Sequence, residues 1–129
     1  MQAISEQTIH ELVAAFYVRV RADPDLGPIF DHAIGDDWDA HLATMDDFWS
    51  SVMLTSGRYK GNPVAVHQMV EGLRPELFAR WLELFAETCR ELLRADIAAV
   101  FNAKAGRIAD SLQRALFYRP ELDVRERLR

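Results

Sequence analysis

Gly61 to Val70, GNPVAVHQMV, sets one polar ring, His67, among valines and a methionine directly behind a Gly-Asn-Pro turn. The residue before a proline is pushed away from the α region, so Pro63 frees this segment from any helix before it. Val64 to Val70 then has room for about two helical turns only. A lone histidine on such a segment is ordinarily a hydrogen-bonded core side chain. Whether His67 is that or a ligand depends on what the rest of the chain can place around it.

Outward from this segment the periodicity is helical throughout. From Ser5, a suitable N-cap, to about Arg21, apolar residues fall at Ile9, Leu12, Val13, Phe16, Tyr17 and Val20, one stripe of a helix. Asp23-Pro24 ends it, and DPDLGPIFDHAIG reads as an irregular corner whose bulkiest apolar residue is Phe30. Asp37 to Leu54 carries Trp38, Leu42, Met45, Phe48, Trp49, Val52 and Met53 at helical spacing, with His41 one turn before Met45. Pro75 suits the first turn of a third long helix bearing Leu77, Phe78, Trp81, Leu82, Phe85, Cys89, Leu92 and Leu93. Ile97, Phe101, Ile108, Leu112 and Leu116 mark a fourth, ending before Pro120. No segment alternates with period two, so the expectation is an all-α fold of four long helices and one short one. The chain of 129 residues suits one domain, 1–129, whose charged end, about 120–129, is expected to fray.

Composition narrows the function classes. Half the residues are hydrophobic and 27% charged, an ordinary globular balance. A formal charge of −5 with no evident basic patch argues against nucleic acid. The single cysteine, Cys89, excludes an internal disulfide and reads as a small buried hydrophobe. No signal-peptide core and no run of about 18 apolar residues is present, so a reducing cytoplasm and no membrane span are expected. Zinc-type spacings, a dinucleotide fingerprint, a P-loop and a nucleophile elbow are all missing.

The polar groups on apolar faces are Tyr17, His41, His67 and Trp81, each on a different helix. Taken singly, Tyr17 and Trp81 read as core aromatics with a bonded polar tip and His41 as a rim residue, while His10 and His32 read as solvated. Taken together they suit one flat, apolar, iron-bearing cofactor. Haem needs a neutral imidazole on one side from a segment able to bend towards the iron, and hydrogen-bond donors on the other, where a diatomic ligand gains negative charge. His67 suits the first task. Tyr17, Trp81 and His41 supply O–H and N–H groups for the second.

The strings AFYVRVRADPDLGPIF, WDAHLATMDDFW, GRYKGNPVAVH and LFARWLELF, running from Ala15 to Phe85, resemble the group III truncated haemoglobins in order and spacing. The two Gly-Gly motifs of the other truncated groups are missing, as the third group implies. The resemblance implies a two-over-two helical sandwich around haem b, iron protoporphyrin, with His67 as the proximal iron ligand. It further implies that Tyr17 and Trp81 are distal donors and that His41 stands at the pocket entrance. Phe16, Phe30, Met45 and Trp49 would line the haem or its distal pocket, Met45 departing from the aliphatic residue expected there. Arg58 and Tyr59 are candidates for a haem propionate.

The expected partners are dioxygen, nitric oxide, carbon monoxide or peroxide, with an unidentified reductase for any turnover, in a monomer. Redox handling of nitric oxide, oxygen or peroxide is the favoured use, whether nitric oxide dioxygenase-like or peroxidase-like. A carrier or sensor without turnover is the alternative. A cofactor-free helical interaction module, which would be colourless, is the alternative of a different class.

Overall fold

The computed structural model describes residues 4–117, and within them the chain forms six helices and no strands. Helix α1 (Glu6–Ala22) begins where the Ser5 hydroxyl accepts the Thr8 N–H at 3.1 Å. It buries the stripe Ile9, Leu12, Val13, Phe16, Tyr17 and Val20.

The corner expected after Asp23-Pro24 is not irregular: it holds helix α2 (Leu26–Ile34). The Asp23 carboxylate accepts the backbone N–H groups of Asp25 at 3.0 Å and Leu26 at 2.9 Å, which starts the helix. Pro28 lies in the first turn, where its missing N–H costs nothing. Gly27 permits close approach to α1, since a Cβ there would meet the Arg21 carbonyl oxygen at 2.6 Å. A Pro-Gly-rich reading therefore missed nine helical residues whose start the Asp23 carboxylate supports.

Helix α3 (Trp38–Leu54) ends at Thr55, which takes a left-handed conformation at φ 53°. Helix α4 (Pro63–Gln68) is six residues long and starts where the Asn62 side chain accepts the Ala65 N–H at 3.1 Å. Helices α5 (Pro75–Leu92) and α6 (Ala95–Phe117) follow. The expected end before Pro120 and the fraying of 120–129 lie outside the described residues.

Helix α1 packs on α2, α3 and α5, while α5 packs along α6 and α6 carries α4. The core is aromatic: Phe16, Phe85 and Phe101 are almost wholly buried, and Trp49 stacks on Phe85 with ring centroids 5.0 Å apart. Cys89 is buried and free, and burial pushes its thiol up to about 12. None of the described helices is long and apolar enough to cross a membrane.

The packing leaves two apolar faces unshared. On α3, Leu42, Met45, Phe48 and Val52 are only partly buried, and α4 has no buried residue at all. Since α3 rests on α1 and α4 on α6, these two helices form opposite walls rather than a packed pair.

Candidate functional site

Between α3, α4 and α6 lies a cavity of about 370 Å³. Its walls are chiefly Phe48 and Val52 of α3, Val64 of α4, and Ile108 and Leu112 of α6. The apolar lining suits a flat hydrocarbon ring system.

His67 lies on α4, one turn beyond the lining residues Pro63 and Val64, with its ring centroid 6.4 Å from that of Phe78. Its Nδ1 lies 2.6 Å from the carbonyl oxygen of Pro63, one turn earlier. A carbonyl only accepts, so Nδ1 carries the proton and donates, and in the neutral imidazole Nε2 then keeps its lone pair. That is the state in which an imidazole binds a metal, its other nitrogen held by an acceptor. Among the described residues no three His, Cys, Asp or Glu side chains gather as a metal site. A single histidine on a helix that borders an apolar cavity suits a metal whose other ligands come from a macrocycle.

From α1, α2, α3 and α5 the structure brings Phe16, Tyr17, Phe30, His41 and Trp81 into one cluster. The Tyr17 ring is 4.9 Å from His41, 5.0 Å from Phe16 and 5.9 Å from Phe30, centroid to centroid. Trp81 meets Phe16 edge-on at 5.2 Å. Burial holds the Tyr17 hydroxyl far above its ordinary range. Burial, assisted by the charge of His67, pushes His41 down to about 4, so its imidazole is neutral near pH 7. Its Nε2 is buried and has no partner.

Other expected site residues stand elsewhere. Trp49 is stacked into the core against Phe85, and Met45 is partly buried beside that core. The Arg58 guanidinium is paired with Glu6 at 2.6 Å. Tyr59 sets its ring against Phe48 at 5.1 Å, and its backbone N–H donates to the Ser51 hydroxyl at 2.9 Å. His10 and His32 are exposed, pairing with Asp46 at 2.8 Å and Glu71 at 3.3 Å.

Two contributors escaped the sequence reading. Trp38 packs against Tyr17 and His41 at 6.0 and 5.5 Å, and its indole N–H is buried without a partner. Its place three residues before His41, on the same helical face, was the available signal. The cavity lining of Val64, Ile108 and Leu112 left only core-like periodicity to find.

An apolar cavity bordered by a short helix that carries a histidine, with a cluster of buried polar aromatics on α1, α3 and α5, suits a globin-class haem protein. The comparisons agree. The chain is 34% identical over 119 residues to a group 3 truncated haemoglobin of Campylobacter jejuni, covering 90% of this chain and 94% of that one. The crystal structure of a group III truncated haemoglobin from Campylobacter jejuni superposes with a TM-score of 0.86 at 34% identity, over 92% of this chain and 95% of that one. No family model matches the chain. The chain belongs to the group III truncated haemoglobins. Its fold is the all-α truncated globin, and membership implies a haem cofactor and small ligands bound at it. The alternative of a cofactor-free helical module is thereby set aside.

Proposed function

We propose that the chain holds haem b through Nε2 of His67 and binds dioxygen and other diatomic ligands, with redox handling of nitric oxide, oxygen or peroxide as its use. The observation that carries the reading is the His67–Pro63 hydrogen bond, which fixes the tautomer a ligand needs. When bound, the haem supplies an iron centre that takes up a diatomic molecule and exchanges electrons with it.

The residues of this chain do the rest. Phe48, Val52, Val64, Ile108 and Leu112 exclude water from the ring system. Tyr17 O–H and Trp81 N–H both donate towards the ligand. Neutral His41, beside Tyr17, covers the distal side and offers a proton or a lone pair from Nε2. Phe16, Phe30, Met45 and Trp49 shape the apolar surroundings. Tyr59 is the remaining candidate for a propionate, and Arg58 joins it once released from Glu6.

Two donors acting at about 1 kcal/mol each slow oxygen release roughly thirty-fold relative to an apolar pocket. Such retention suits redox use better than delivery. Turnover requires electrons from a separate reductase, and the protein works as a cytoplasmic monomer. Stopped-flow mixing with nitric oxide or peroxide, beside a measurement of spontaneous oxygen release, tests the preference. Fast reaction with slow release supports it; fast release with sluggish reaction towards both returns the protein to carriage or sensing.

A further inference from the structure

Among the described residues, three buried side-chain polar atoms lack a hydrogen-bond partner: Nε1 of Trp38, Nε2 of His41 and Oδ1 of Asp46. Two of them belong to rings already in contact. Trp38, the first residue of α3, and His41 lie three residues apart on one helical face, and their rings meet edge-on with centroids 5.5 Å apart. The two nitrogens are chemically complementary. An indole N–H only donates, whereas the unprotonated nitrogen of a neutral imidazole accepts, and His41 is neutral near pH 7. Leaving either atom unpaired in a buried place costs free energy that pairing them removes.

We propose that Trp38 is a positioning residue for His41: a turn of the imidazole about its side-chain bonds seats Nε2 on the Trp38 N–H, which keeps the proton on Nδ1 and prevents His41 from donating to a bound ligand. This rests on the function proposed above and narrows the part His41 plays in it. The indole is the fixed member of the pair. It is only 8% exposed, Tyr17 packs against it at 6.0 Å, and the Arg21 guanidinium carbon lies 4.3 Å from its ring centroid. His41 is half-buried and is the member free to turn. The other donor in ring contact with it, the Tyr17 O–H, is the one the ligand requires. With Nε2 engaged as an acceptor, oxygen meets Tyr17 and Trp81 as donors and His41 as cover alone.

The test reads the ring nitrogen resonances of His41, assigned by their loss in His41→Leu, in the carbon monoxide complex and in the haem-free protein. These resonances report which nitrogen carries the proton. Wild type is expected to hold it on Nδ1, with a coupling across the hydrogen bond between Trp38 Nε1 and His41 Nε2, and Trp38→Phe to move it towards Nε2. Freed in that way, Nε2 donates to the ligand. Trp38→Phe is therefore expected to slow oxygen release about three- to tenfold, and by less than about twofold when His41 is already replaced by Leu. A proton on Nε2 in wild type would overturn the inference, and needs no variant that could fail to fold. So would an effect of Trp38→Phe on oxygen release that is the same with and without His41. A protein that took up no haem would remove the proposed function, and the proton position in the haem-free protein would still decide the pairing.

Discussion

The imidazole of His67 donates from Nδ1 to the carbonyl of Pro63, within a helix of six residues that buries none of them. The geometry of His67, the proposed proximal ligand, therefore depends on local hydrogen bonds rather than on packing, and disturbing the start of α4 should loosen it.

Asn62→Ala tests this. The Asn62 side chain caps α4 at Ala65 N–H, and loss of such a cap costs about 1 kcal/mol. We expect haem transfer to apomyoglobin to accelerate roughly fivefold, with a small loss of global stability. Asn62→Asp, which keeps the acceptor, should transfer haem at close to the wild-type rate.

Tyr17→Phe and Trp81→Phe address the distal side. A hydrogen bond to a partly charged acceptor contributes about 1.5–3 kcal/mol, so each should speed oxygen release by roughly ten- to a hundred-fold. Carbon monoxide gains little charge on binding and should respond less. Equal effects on the two gases, measured by flash photolysis and ligand replacement, would point to a steric role.

His10, on α1, pairs with Asp46, on α3, and that hydrogen bond raises its pKa above the ordinary 6.5. Folding then favours the protonated form, so the contribution is fully present below about pH 6.5 and is lost as pH rises through the folded value. The group is exposed and the effect correspondingly small. Thermal melts of His10→Gln and wild type should converge above that window and separate below it. A constant difference across pH would contradict the assignment.

The four long helices were legible because each buries a periodic stripe; Ile9 to Val20 of α1 reads as plainly in sequence as in structure. Helix α2 was not, because its start depends on a carboxylate that simultaneously binds Arg80, 57 residues away. His67 was legible as a residue type behind a turn. Its tautomer was not, since that depends on one carbonyl's direction. Met45 and Phe48 show the same limit: periodicity assigns both to an apolar face of α3 but not to one that its neighbours only partly cover.

The central claim is that His67 is the residue that fixes the cofactor, and the visible absorption spectrum of the purified protein tests it most directly. Wild type should show a haem Soret band that shifts on reduction with dithionite and again with carbon monoxide. His67→Ala should lose stable haem, while Tyr17→Phe keeps it, because the first removes the bond to the metal and the second only a donor to the ligand. A normal five-coordinate ferrous spectrum retained by His67→Ala would contradict the account.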